Sequence, residues 1–181
     1  MSTSKYSLRE MIYAALFGSL TAIGAFMVIP FQPVPFTLQS LFASLAGILL
    51  GSSIGVMSQI VYILLGIVGL PVFAGGKAGI GVLFGPTGGY LIGFVAAAFI
   101  IGKIVKLKND PGLSWMILAL TAGNLVIYFF GTVQLAFIAD LSIQKALLIG
   151  VLPFLPGDLI KLAAAVWLAF KLYKYFPAGR K

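Results

Sequence analysis

The chain consists largely of apolar runs too long for an ordinary soluble core. They cover residues 10–29, 37–68, 88–102, 113–138 and 146–172. A helix crosses the hydrocarbon core of a bilayer with about 20 residues, within a range of roughly 17–25. Hydrophobic residues make up 61% of the chain and charged residues 9%, where a soluble domain carries roughly a quarter charged residues. The expectation is an all-α integral membrane protein, folded as a single transmembrane domain over residues 1–181.

The run 37–68 is too long for one helix. It is interrupted at Gly51-Ser52-Ser53, with Gly47 and Gly55 nearby, and so reads as two short helices joined by a tight turn. That makes a bundle of six transmembrane helices. Charge supports this count. With the N-terminus in the cytoplasm, six spans place Lys5, Arg9, Lys103, Lys106, Lys108, Lys171, Lys174, Arg180 and Lys181 inside, nine of the twelve basic residues. Lys77 and Lys145 fall in outer loops, and Lys161 lies within a span. Treating 37–68 as one span would put the Lys103–Lys108 cluster outside, against the positive-inside rule. Lys5 and Arg9 ahead of an apolar run also fit the start of a signal peptide. The later runs span in either case, and the first run is read here as a retained helix.

Asp158 and Lys161 lie inside the last of these runs, just after the break Pro153-Phe154-Leu155-Pro156-Gly157. A buried carboxylate and a buried ammonium each cost several kcal/mol unless paired or facing a polar cavity. Residues three apart share a helix face, so both charges point one way. Counting up from Lys171 at about 1.5 Å per residue puts Asp158 roughly 20 Å and Lys161 roughly 15 Å above the inner boundary. Asp158 could simply cap a helix after Pro-Gly and pair with Lys161. Capping does not explain an ammonium at mid-depth, and a binding site is the preferred reading.

Three outer segments follow from the span count. Pro30–Phe36 is proline-rich and expected to be extended and stiff. A short link lies near Asp140. The long segment from Gly69 to Tyr90 holds eight glycines and two prolines, yet its other residues are mostly apolar. A Gly-rich apolar outer loop suggests backbone packed into the mouth of the bundle, with N–H groups free for a ligand. It could also be a hairpin that only plugs the bundle. On the first helix, Ala14, Gly18 and Ala22 recur every fourth residue, with Ala15 and Ser19 alongside. Small residues at this spacing admit a second helix, either within the bundle or from a separate membrane protein.

Several functions are excluded by what is missing. The chain has no Cys and no His, and its only carboxylates are Glu10, Asp110, Asp140 and Asp158. Disulfides, thiol nucleophiles and His-based metal sites or general bases are therefore out, no metal site is expected, and an enzyme is the least favoured class. Gly75-Gly76-Lys77-Ala78 lacks the Ser or Thr of a phosphate-binding loop, and Gly79-Ile80-Gly81-Val82-Leu83-Phe84 lacks the third Gly of a dinucleotide fingerprint. No ATPase of its own is expected, and the net charge of +8 is explained by the membrane rather than by nucleic acid.

Pro71-Val72-Phe73-Ala74-Gly75-Gly76, Gly85-Pro86-Thr87-Gly88-Gly89-Tyr90 and Pro156-Gly157-Asp158-Leu159-Ile160-Lys161, in this order, resemble the signature of the BioY family. These are biotin-specific S-components of energy-coupling factor (ECF) transporters. The resemblance covers nearly the whole chain. It implies a six-helix S-component bundle in the cell membrane with both termini cytoplasmic and a biotin site under the outer loops. It implies no cofactor, biotin as the transported substrate, and energy from a membrane coupling protein with two cytoplasmic ATPases. It also implies tilting of the whole component in the membrane, and it moves the first-helix stripe toward docking on the coupling protein. Asp158 and Lys161 fall on polar binding positions of the family. Lys77 and Leu91 fall where some members carry Asn and Arg, so Leu91 removes a cation for the biotin carboxylate and Lys77 is the candidate to replace it. Phe73, Phe84, Tyr90 and the backbone at Gly76 are expected to line the ring site. The competing readings are an S-component for another small vitamin, a proton-coupled transporter using Asp158, and a structural membrane subunit.

Overall fold

A capping box starts the first helix. Ser7 Oγ accepts from the Glu10 N–H at 3.3 Å, and a Glu10 carboxylate oxygen accepts from the Ser7 N–H at 2.8 Å. The structure is a computed structural model that describes residues 6–179. Lys5, Arg180 and Lys181, expected in the cytoplasm, lie outside the described residues. The helices are α1 (Leu8–Phe26), α2 (Gln39–Ile67), α3 (Gly88–Lys106), α4 (Leu113–Ile138), α5 (Ile143–Gly150) and α6 (Leu155–Leu172). Among the described residues, four segments are long and apolar enough to cross a membrane: Gln39–Ile67, Gly88–Lys106, Leu113–Ile138 and Ile143–Tyr175. The chain is a mostly helical, multi-pass membrane protein.

Helix α2 is not a single rod. Gly51 has φ +81° and ψ 177°, a conformation only glycine adopts readily. A Cβ built on Gly55 would lie 2.9 Å from the carbonyl oxygen of Ala46. In an unbroken helix residues nine apart are separated by about 13 Å. The chain therefore reverses at Gly51, and the arms 39–50 and 52–67 lie against each other. The Cε of Lys106 packs over this turn, 3.1 Å from where a Gly51 Cβ would be. Phe176 packs on Tyr13 and Phe17, with ring centroids 5.4 and 5.8 Å away. The start of α1, the Gly51 turn, the end of α3 and the C-terminal turns thus gather at one end of the bundle.

The opposite end carries the hairpin after α1, the Gly-rich segment between α2 and α3, and the break before α6. Pro30–Phe36 is not simply extended. It closes a short antiparallel hairpin in which β1 (Val28–Ile29) pairs with β2 (Phe36–Thr37), Val28 opposite Thr37 and Ile29 opposite Phe36. Phe31 and Phe36 pack on Phe154 at centroid distances of 5.9 and 6.0 Å. The last apolar run is broken into α5, a 3-10 turn at Leu152–Phe154, and α6. Pro156 falls in the first turn of α6, where no backbone N–H is needed.

One expectation is corrected. Ala14, Gly18 and Ala22 are buried inside the bundle, and a Cβ on Gly18 would lie 2.9 Å from the Ser58 carbonyl oxygen. Their stripe is the seam between α1 and the second arm of α2, because only small residues let the backbones come that close. Gln59 ties the seam by donating from Nε2 to Thr21 Oγ1 at 3.2 Å. These three residues are not a free docking face. Ala15 and Ser19 are exposed.

Candidate functional site

Asp158 and Lys161 lie one turn apart on α6, each 8% exposed. Asp158 does not cap the helix. The N-cap is Phe154, with no side-chain capping bond. Lys161 Nζ forms an ion pair with Asp158 Oδ1. It also donates to the Thr37 carbonyl oxygen at 3.0 Å and to Ser40 Oγ at 2.7 Å, and sits 4.1 Å from the centroid of the Phe36 ring. The hydroxyl of Tyr128 donates to Asp158 Oδ2. The pair thereby joins α6 to β2, α2 and α4. Each charge is met by an opposite charge and by hydrogen bonds, which is what burial of ions requires.

A cavity of about 740 Å³, its mouth included, opens beside this pair at the hairpin and loop end. Its polar wall is made by Thr37, Gln39, Ser40, Asn124 and Tyr128 with the ion pair. Phe36, Phe73, Leu91, Phe94, Ile127 and Phe154 form the apolar wall. Ala74, Lys77, Val82 and Thr87 come from the segment between α2 and α3. Gln39 is itself held in place: Thr37 Oγ1 donates to its Oε1 at 2.9 Å, and its Nε2 donates to the Tyr62 hydroxyl. Tyr90 lines the cavity and donates from its hydroxyl to the Gly150 carbonyl oxygen at 2.8 Å.

The Gly-rich loop is anchored by one aromatic ring. Phe73 is 1% exposed and meets Tyr62 edge-on at 5.7 Å. A Cβ on Gly66 would fall 2.1 Å from the Phe73 ring, so glycine there makes the socket. The chain then turns tightly: Phe73 N–H donates to the Lys77 carbonyl at 3.0 Å, across Gly75 and Gly76, both at φ +73°. The turn puts Lys77 at the cavity rim and leaves Gly76 exposed and off the wall. Phe84 is 71% exposed and does not line the cavity. The ring-site expectation is corrected at these two positions: loop geometry turns them outward. Asp158, Lys161, Lys77, Phe73, Tyr90 and Leu91 are brought together.

The sequence-based reading did not single out Gln39, Ser40, Asn124 and Tyr128. Polar side chains inside apolar runs were the available signal. Among the described residues, no group of His, Cys, Asp or Glu is placed to hold a metal ion.

The sequence profile of the BioY family matches residues 1–178. The chain belongs to the BioY family. The biotin transporter BioY of Thermotoga maritima is 43% identical over 167 residues, covering 92% of this chain and 97% of that protein. The probable biotin transporter BioY of Pyrococcus horikoshii is 42% identical over 168 residues, covering 91% and 96%. Among solved structures, the 2.1 Å crystal structure of the S-component for biotin from an ECF-type ABC transporter superposes with a TM-score of 0.85 at 30% identity, covering 96% of this chain and 95% of that one. In this BioY-family chain the wall chemistry is divided. One side offers a charged acceptor and several donors, the other offers aromatic faces, and Lys77 stands at the rim.

Proposed function

We propose that this chain is the biotin-binding substrate-specificity component of an ECF-type uptake transporter. The observation that carries this reading is the buried Asp158–Lys161 pair set in the wall of an otherwise aromatic cavity, in a chain of the BioY family. Biotin has two ureido N–H donors, one ureido carbonyl, an apolar sulfur ring and a carboxylate tail. Asp158 accepts from a ureido N–H in a charge-assisted bond, and Lys161 with its neighbouring donors meets the ureido carbonyl. Phe36, Phe73, Phe94 and Phe154 pack the ring system. Leu91 leaves no cation on its part of the wall, so Lys77 at the rim takes the carboxylate.

The reversal at Gly51 supports a reading of six membrane segments: α1, the two arms of α2, α3, α4 and α6. The arms are short for a hydrocarbon core of about 30 Å, so the Gly51 turn is recessed, where Lys106 covers it. An even number of spans puts both termini on one side. Arg9, Lys103, Lys106, Lys108, Lys171 and Lys174 flank spans on that side, which makes it the cytoplasmic one. The chain is a transport component and not an enzyme. Energy comes from a membrane coupling protein and two cytoplasmic ATPases, and Ala15 and Ser19, exposed on α1, belong to the face that meets the coupling protein. The protein needs no cofactor, contacts lipid around its perimeter and binds no nucleic acid.

A thermal-shift panel of vitamins on the purified protein in detergent tests the assignment. Biotin alone is expected to raise the melting temperature. A response to a different vitamin, with none to biotin, would reassign the specificity.

A further inference from the structure

Gln134 lies on α4, off the cavity wall, and its side-chain amide reaches the segment that covers the cavity. Nε2 donates to the carbonyl oxygens of Leu83 at 2.7 Å and Gly85 at 2.9 Å. An amide nitrogen carries two hydrogens, so both are committed to this one segment. The segment's other hydrogen bonds are mostly its own short turns: Val82 N–H to Gly79 O at 3.2 Å, Leu83 to Ile80 at 3.0 Å, Gly85 to Val82 at 3.2 Å. Its first end is tied to α2 by Gly79 N–H donating to Gly66 O at 2.7 Å. Gln134 supplies the tie at the other end, to a different helix.

The sequence makes room for this contact. A Cβ on Gly88 would fall 1.9 Å from the Leu83 carbonyl oxygen and 2.5 Å from Gln134 Nε2. One on Gly89 would fall 2.7 Å from Gln134 Cβ. Two successive glycines at the start of α3 thus let the amide reach the strap. Between Gly79 and Gly88 the strap contributes Val82 and Thr87 to the cavity wall. The remaining cover is the hairpin, with Val34, Pro35 and Phe36, and the turn that carries Phe73, Ala74 and Lys77. The other walls are mostly packed helices, and the turn at Phe73–Lys77 is anchored by the buried Phe73 ring, so a bound molecule leaves by moving the strap or the hairpin.

We propose that Gln134 is a positioning residue that clamps residues 79–88 over the cavity and sets how long the substrate stays bound. The identity of that substrate rests on the function proposed above. The clamp holds the strap whether or not the cavity is filled. Its loss therefore speeds the release of a bound molecule.

The test uses two near-isosteric variants of the full chain in detergent. Gln134→Met removes the donors, and Gln134→Glu faces the two carbonyls with acceptors. Dissociation of labelled biotin is followed in a chase with excess unlabelled biotin, and amide hydrogen exchange is followed on the ligand-free proteins. Gln134→Met is expected to raise koff on the order of tenfold, the change produced by losing about one hydrogen bond's net contribution. Gln134→Glu is expected to raise it further. In both variants exchange should quicken at residues 79–88 and stay unchanged in α2 and α3. The proposal is overturned by a wild-type koff, with or without faster exchange in the strap. It is equally overturned by loss of protection throughout α3 and α4, which would make Gln134 a general packing residue. If the parent protein binds no biotin, the proposed function falls, and strap exchange alone decides the clamp: protection like the parent's in both variants overturns it.

Discussion

Lys161 uses all three of its N–H groups inside the protein, on Asp158, Thr37 and Ser40. Asp158 is held from the other side by Tyr128. Substrate must therefore join or displace bonds that already exist, and the two residues respond differently to substitution. Asp158→Asn keeps the shape and removes the charge. It is expected to weaken biotin binding by about 1.5–3 kcal/mol, the scale of a charge-assisted hydrogen bond. Lys161→Met leaves a buried carboxylate without its cation, which costs about 3–5 kcal/mol in comparable cases. It should lower both affinity and melting temperature. Calorimetric titration and thermal melts of the two variants separate these effects. If both bind like the parent and only melt early, the pair is structural. These charges were legible in the sequence because ions in an apolar run are rare and costly. Tyr128 and Asn124 were not, because position in a run does not say which face of α4 meets the cavity. Phe84 was misplaced because loop residues follow no period that would fix their direction.

At the level of elements, the turn at Gly51 was legible because glycine and serine interrupt an apolar run longer than one span. Gly51→Ala tests it. An L side chain at φ +81° and ψ 177° costs about 1–3 kcal/mol, and its Cβ would also meet Lys106 Cε at 3.1 Å. The variant should melt earlier and still bind biotin, since the site lies at the other end of the bundle. Loss of binding with an unchanged melt would contradict that separation. The small-residue stripe on α1 was visible, but spacing alone could not distinguish an internal seam from a docking face. The backbone contact of Gly18 with Ser58 decides it. Gly18→Leu should disrupt the bundle and abolish biotin binding. Ser19→Leu, on the exposed side, should leave binding intact and reduce co-purification with the ATPase module. Unchanged co-purification would remove Ser19 from that interface. The division of the last run into α5 and α6 was only half legible. Pro153 and Pro156 marked a break, but the apolar character runs straight through it.

At the scale of the whole molecule, the candidate site is assembled from every quarter of the chain: the hairpin, the first arm of α2, the Gly-rich strap, α3, α4 and α6. The bundle positions the charged pair and the strap covers it. The most direct measurement is a calorimetric titration of biotin into the purified protein in detergent, without ATP and without partner proteins, run in parallel on Asp158→Asn. One site with nanomolar affinity is expected in the parent, and binding at least about tenfold weaker in the variant. Absence of binding in the parent, or equal affinity in the two proteins, would contradict it.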